Sequence, residues 1–473
     1  MDAVEINARR ARLALPTPSA RWKALLAVLG PGLVVMLADT DAGSVVTAAQ
    51  SGAQWGYALL GMQVLLVPIL FIVQELTVRL GIFTRKGHGE LIRATFGPGW
   101  AWLSVVGLAI ATLGAIVTEF AGVAGAGELF GIPREISLPV AVGFLLAVVW
   151  TGSYRRVERA AIAVGLFELA FLVVALAAHP NVQLIARGVT RLPLGDPAYL
   201  YLAAANVGAV IMPWMIFYQQ SAVADKGLLP EDYRNAQWDT VIGAIVTQVI
   251  MAAVLIASAA TVGQARTHAA LNTVGEIAAA LEPFLGPTVG IVVFSVGIVG
   301  ASMVAAIVVS LAMAWGFGEV TGYKHSLEHH PREAPWFYLV YSIGVVGGAV
   351  FVATTPNLVL LSIAVQVMNA LMLPLVLGFL VALAIKALPP EHRLRGVYRW
   401  VVVGTAIVTT GFGVVAGLLG SSLLKANRIA LAAIPTMQTA PGDRGIARRS
   451  PPGPGNAHGR RHVLWRLSLA LRH

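Results

Sequence analysis

The stretch GPGLVVMLADTDAGSVVTAAQSGAQWGY, residues 30–57, decides the fold. Its flanks are apolar enough for a lipid bilayer, yet Asp39 and Asp41 fall near its middle, followed by Ala42, Gly43 and Ser44. A carboxylate at that depth costs several kcal/mol unless it is compensated, and Gly43 with Ser44 is poor helix material. The stretch therefore reads as a membrane span interrupted at its centre. A second one, NVGAVIMPWMIFYQQSAVADKG at 206–227, carries Pro213 in its interior. Proline removes one helical hydrogen bond and clashes with the preceding turn, which frees the carbonyls of Ala209 and Val210.

The rest of the chain fits a membrane setting. Of 473 residues, 57% are hydrophobic and 12% charged, with a mean hydropathy of +0.76. A soluble domain carries about 25% charged residues. Residues 197–224, 240–265, 283–318, 334–385 and 400–424 hold no Asp, Glu, Lys or Arg, and uncharged runs beyond about 18 residues suggest membrane spans. The composition implies an all-α polytopic membrane protein and excludes a soluble enzyme, a DNA-binding module and a β-barrel. With no cysteine there are no disulfides, thiolate metal sites or cysteine nucleophiles.

Eleven spans are expected, at roughly 24–54, 57–80, 100–130, 136–153, 160–179, 199–224, 238–262, 287–318, 336–353, 358–385 and 400–424. With the N-terminus placed in the cytoplasm, the N-terminal arm and cytoplasmic loops hold nineteen lysines and arginines and the opposite loops four, namely Arg134, Arg187, Arg191 and Arg266, while the tail after residue 424, with nine more, falls outside and runs against the rule. That bias is a strong positive-inside signal and orients the chain in the cytoplasmic membrane. The net charge of +10 thus reflects topology rather than nucleic-acid binding. No cleavable signal peptide is expected, since the basic start runs into the first span without a good cleavage site. Four regions follow: a basic N-terminal arm at 1–23, a ten-helix core at 24–385, a linker with an eleventh helix at 386–424, and a tail at 425–473 rich in Pro, Gly and Arg. The tail composition cannot build a core.

The two interrupted spans hold the first and sixth ranks, corresponding positions of two five-span halves. Paired broken helices at matched positions point to an inverted-repeat transporter with its substrate at the membrane midplane. At the breaks an acid, a hydroxyl, free carbonyls and a thioether converge: Asp41, Ser44, Ala209 and Met212. Such a set suits a divalent cation. Its oxygens favour Mg²⁺ or Ca²⁺, while the thioether favours softer transition metals.

Several motifs now carry a resemblance. DAGSVVTAAQSGAQWGY (41–57), VQELTVRLGIFTRKGHGELI (73–92), AVIMPWMIF (209–217) and QVMNALMLP (366–374) resemble the first, second, sixth and tenth helices of the Nramp divalent-metal transporters. The similarity spans most of residues 24–385. It implies the 5+5 inverted repeat of LeuT-type transporters with helices 1 and 6 broken. It also implies Asp41 as the metal-coordinating aspartate, the Ala209 carbonyl and Met212 as ligands, and Gln366 as a glutamine approaching the ion.

Three positions depart from the family pattern. Ser44 replaces its asparagine. Trp214 replaces its sixth-helix histidine and can neither take a proton nor bind metal. In ATLGAIVTEFAGVAG (111–125) Glu119 is kept, while Gly122 stands where the family has a second acid linked to proton movement. Proton-coupled transport needs titratable groups along the path, so the resemblance implies weakened or absent coupling through this cavity. Ser44 and Trp214 fit Mg²⁺, which dehydrates reluctantly, as in the Nramp-related magnesium branch. Met212 argues for Mn²⁺ or Fe²⁺.

The expected function is alternating-access transport of Mn²⁺, Fe²⁺ or Mg²⁺ around Asp41. The expected partners are the ion, the lipid bilayer and protons as a candidate co-substrate, without cofactor, nucleic acid or enzymatic activity. The alternatives are a transport-incompetent sensor or receptor, and an amino-acid or amine carrier on the same fold. Among other ionisable residues, Asp39 reads as a helix-end residue and Glu75 with Arg79 as an i,i+4 pair. Glu128 reads as solvated and Glu168 as buried without an assigned role. His88, His268, His325, His329 and His330 read as loop residues with surface roles.

Overall fold

In the computed structural model, residues 30–264, 270–355 and 358–432 are described. The basic arm at 1–23, Arg266, His268 and the tail beyond residue 432 lie outside them. The first expected span is a broken pair, α1 (Pro31–Asp39) and α2 (Ala42–Trp55), bent by 47°. Next come α3 (Leu60–Thr84), α4 (His88–Phe96), α5 (Pro98–Leu129) and α6 (Arg134–Val149). Helix α7 (Tyr154–Gly165) runs through a 3-10 turn at Leu166–Leu169 into α8 (Ala170–Ala177), and α9 (Val182–Val189) follows.

The second half opens with the other broken pair, α10 (Pro197–Val210) and α11 (Pro213–Asp225). Helix α12 (Tyr233–Thr261), α13 (Val274–Leu285) and α14 (Pro287–Thr321) come next. They are followed by α15 (Pro335–Thr354), α16 (Leu358–Lys386) and α17 (Gly396–Ala432).

Among the described residues nine helices or helix runs are long and apolar enough to cross a membrane, ten when the bent α1–α2 pair counts as one. The fourth expected span, 136–153, is shorter than expected. Helix α6 has only 16 residues, bounded by Pro133 at its start and a turn with Gly152 at φ 59°, whereas a bilayer takes about 20. The eleventh helix runs the other way, past residue 424 to Ala432. Three segments expected as loops, α4, α9 and α13, are short helices.

Small residues set how closely the core helices approach, as is usual in membranes. Helix α5 lies along α14, α12 along α2 and α3, and α10 along α16. Gly208 of α10 faces the backbone carbonyl of Gln366 on α16, where any Cβ would collide. The residues at both breaks are fully buried, with Asp41, Ser44 and Met212 each at 0% exposure.

Candidate functional site

Each broken helix loses its regular backbone over two residues. In the first, Thr40 (φ −80°, ψ 38°) and Asp41 (φ −62°, ψ 168°) leave the helical region between α1 and α2. In the second, Ile211 (φ −123°, ψ 84°) and Met212 (φ −94°, ψ 141°) do so between α10 and α11. The sequence explains both. An Asp in extended conformation is a favoured N-cap, and Asp41 caps α2 by accepting the Ser44 N–H at 2.5 Å. Pro213 sits in the first turn of α11, where its missing N–H costs nothing.

The breaks meet through side chains of three helices and a backbone carbonyl of a fourth. The Ser44 hydroxyl donates to the Ala209 carbonyl at 3.0 Å, joining the two broken helices. The Gln366 amide of α16 donates to Asp41 Oδ1 at 3.3 Å, and Asn369 donates to Gln366 Oε1 at 2.9 Å. From α5, Glu119 accepts the Ala42 N–H at 3.1 Å and the Thr118 hydroxyl at 3.1 Å. Asp41 Oδ2 is buried and accepts no N–H or hydroxyl hydrogen bond, and the Asp41 carboxyl lies within hydrogen-bonding reach of the Glu119 carboxyl.

Electrostatics favour a cation here. An α-helix N-terminus normally offers bare amides to anions, but Asp41 and Glu119 already consume those of Ser44 and Ala42. The C-terminal ends of α1 and α10 contribute carbonyl dipoles of the sign that attracts a cation. Among the described residues no three His, Asp or Glu side chains converge as a metal cage. Any ion held here takes at most two acidic side chains and completes its shell with neutral oxygen, sulfur or water.

The structure thus brings Asp41, Ser44, Ala209 and Gln366 into one hydrogen-bonded group, with Glu119 joined to it through Ala42. Met212 lies in the second break, three residues after Ala209. Gln366 turns its amide, not its oxygen, toward Asp41, and so orients the carboxylate in this conformation. Trp214 is fully buried in α11, with an indole N–H that has no partner. Gly122 is a close-packing position: a Cβ there would lie 2.6 Å from the Ala42 Cβ and collide with the Ser302 hydroxyl of α14. The space an acid would need at 122 is filled by neighbouring helices.

Of the other ionisable residues, Asp39 is the last residue of α1, as expected for a helix-end residue. Glu75 and Arg79 pair at 2.8 Å. Glu128 bonds Arg134 at 2.6 Å with its side chain half exposed. His88 corrects its surface reading. It is fully buried at the start of α4, and its Nδ1 bonds Gln220 Oε1 of α11 at 2.8 Å. Burial pulls its imidazole down to about 4. Asn369, which stands in the motif at 366–374 without a charge or a break to single it out, orients Gln366.

Comparisons with known proteins bear on the family and the fold. The family model for natural resistance-associated macrophage protein-like (Nramp) proteins matches residues 32–418. The divalent metal cation transporter MntH of Bradyrhizobium diazoefficiens is 29% identical over 322 residues, covering 65% of this chain and 70% of that protein. MntH of Xanthomonas campestris is 29% identical over 321 residues, covering 65% and 72%. Among solved structures, the manganese transporter of Eremococcus coleocola superposes with a TM-score of 0.68 at 20% identity, covering 88% of this chain and 94% of that one. A Na⁺-coupled sialic acid symporter shares the fold more distantly, with a TM-score of 0.56 at 13% identity over 83% of this chain and 89% of that one. With its family model matched over most of its length, the chain belongs to the Nramp family.

Proposed function

We propose that this protein carries divalent metal cations across the cytoplasmic membrane by alternating access around Asp41, with its N-terminus in the cytoplasm. The observation that carries the reading is the buried Asp41 carboxylate in a helix break, beside Glu119, with an Oδ2 that accepts no N–H or hydroxyl hydrogen bond. A lone carboxylate oxygen in that setting is costly unless a cation binds it. The Asp41 carboxylate, Ser44 hydroxyl, Ala209 carbonyl and Met212 thioether form the ligand set, and Gln366 orients Asp41. Ion binding replaces the Ser44–Ala209 hydrogen bond, which couples occupancy to the contact between the two broken helices. Coupling to protons is weak or absent, because Trp214 and Gly122 replace titratable groups and Glu119 already bonds Ala42. Mn²⁺ and Fe²⁺ are favoured by Met212, Mg²⁺ by the small Ser44.

The test is cation flux into proteoliposomes, comparing Mn²⁺ with Mg²⁺ while an interior dye reports pH, with Asp41→Ala alongside. Flux of either ion that Asp41→Ala reduces to background is the expected result, with little interior acidification. Strong acidification with Mn²⁺ uptake would overturn the weak-coupling part. No flux of either ion, with Asp41→Ala indistinguishable from the unaltered protein, would sink the transport reading.

A further inference from the structure

Two buried carboxylates lie close to the first break but outside the Asp41 group. Asp39, the last residue of α1, is 1% exposed, and Glu168, in the 3-10 turn between α7 and α8, is 0% exposed. None of the four oxygens on these two residues accepts a well-aligned hydrogen bond; only the hydroxyls of Thr247 and Thr40 come within reach of Asp39 and Glu168, respectively. Buried carboxylates are ordinarily paired or hydrogen-bonded, because desolvation otherwise costs several kcal/mol. Neither joins an ion pair among the described residues.

Local structure brings them together. Gly165 packs on α1, where a Cβ would lie 2.9 Å from Leu37 Cδ1, and this close approach delivers the following 3-10 turn to the end of α1. A 3-10 stretch inside a helix often marks a functional position. Glu168 lies within electrostatic reach of Asp39 and Asp41. Between the acids, the hydroxyls of Thr40 and Thr247 bond each other at 2.7 Å. Thr247 neighbours Asp39 and Thr40 neighbours Glu168. Two carboxylates and two hydroxyls, without sulfur or nitrogen, make a hard-oxygen set. The carbonyl end of α1 adds a dipole favourable to a cation.

We propose that Asp39 and Glu168, with the hydroxyls of Thr40 and Thr247, form a second subsite for the divalent cation, a station next to the Asp41 centre at the end of α1. The proposal rests on the reading of Asp41 as the metal centre and adds a step to the ion path. Asp39, Asp41, Glu119 and Glu168 are four buried acids around one break. A single divalent ion neutralises only half of their formal charge, so a cation leaving Asp41 toward α1 meets a second pair of carboxylates.

The experiment measures binding of radiolabelled Mn²⁺ to the purified full chain by equilibrium dialysis, and anomalous scattering from Mn²⁺-soaked crystals. In Asp41→Ala, the expected result is weaker residual binding with an anomalous peak beside Asp39 and Glu168. Adding Glu168→Gln or Asp39→Asn lowers that residual binding at least tenfold. No residual binding in Asp41→Ala, or residual binding indifferent to both added changes, overturns the second subsite. Binding in Asp41→Ala equal to that of the unaltered protein, yet abolished by Glu168→Gln, would uphold the subsite while overturning Asp41 as the centre. Glu168→Gln alone serves as a second readout on a chain whose Asp41 site is intact. It should preserve tight Mn²⁺ binding and slow saturated Mn²⁺ flux about tenfold, and unchanged flux overturns the proposal.

Discussion

The two broken helices solve one structural problem with opposite chemistry. At the first break the irregular backbone is capped by its own acid: Asp41 holds the Ser44 N–H, and Glu119 reaches across from α5 for the Ala42 N–H. At the second, no side chain caps α11. Pro213 lacks the N–H that would otherwise need an acceptor, and the break offers carbonyl and thioether groups instead. The first break therefore supplies charge and is buttressed from outside, while the second supplies neutral ligands and is stabilised by its own proline. An ion between them is attracted by one wall and selected by the other.

If the first break depends on α5 as a buttress, tightening that contact should damage it most. Gly122 faces Ala42 and Ser302 at distances no Cβ can occupy. Gly122→Ala is expected to destabilise the protein by about 1–3 kcal/mol through overpacking, read as a lower midpoint of thermal unfolding in detergent. Gly122→Glu, the change that restores an acid at this position, should not yield a stable, monodisperse protein. A stable Gly122→Glu protein with proton-coupled flux would show that α5 has room to move, and that the missing acid alone sets coupling.

The far end of α11 offers a smaller probe of the second break. There His88 bonds Gln220, and the Ser221 hydroxyl donates to Glu319 at 2.5 Å. Burial holds the His88 imidazole at about 4, against about 6.5 in an unfolded chain. The unfolded state takes up the proton first, so this site lends full stability above about 6.5 and loses it as the pH falls toward 4. At about pH 5 the loss amounts to about 2 kcal/mol. His88→Gln should flatten the fall in unfolding midpoint between about pH 7 and 5. An equally steep fall in the variant would show that α11 is not anchored by a neutral His88.

His88 also shows where sequence reading stops. The two breaks were legible because Asp41 and Pro213 violate rules that hold along one helix, and the spans were legible because charge-free runs need no partner to be recognised. The environment of His88 is made by Gln220, 132 positions away, and nothing in the local sequence encodes that meeting. Glu168 was legible as buried, but its relation to Asp39 depends on how closely Gly165 lets α7 approach α1. The orientation of Gln366 likewise follows from Asn369, a neighbour one helical turn away whose role appears only once Asp41 is in place. At α6, pattern overestimated length, because the uncharged run continues through Trp150, Thr151, Gly152 and Ser153 while the helix ends at Val149.

The finest test concerns what the neutral wall contributes. Met212→Leu keeps volume and apolar character, and such swaps usually cost less than about 1.5 kcal/mol in stability. Asp41, Ser44 and Ala209 remain, so attraction at the charged wall is unchanged. What disappears is a polarisable sulfur, which matters to Mn²⁺ or Fe²⁺ and hardly at all to Mg²⁺. The ratio of Mn²⁺ to Mg²⁺ flux is expected to fall several-fold, about 1 kcal/mol in discrimination, while Mg²⁺ flux itself changes little. An unchanged ratio would mean that the thioether only packs the break. The second wall would then select by carbonyl geometry alone, and the difference between the two breaks would reduce to charge.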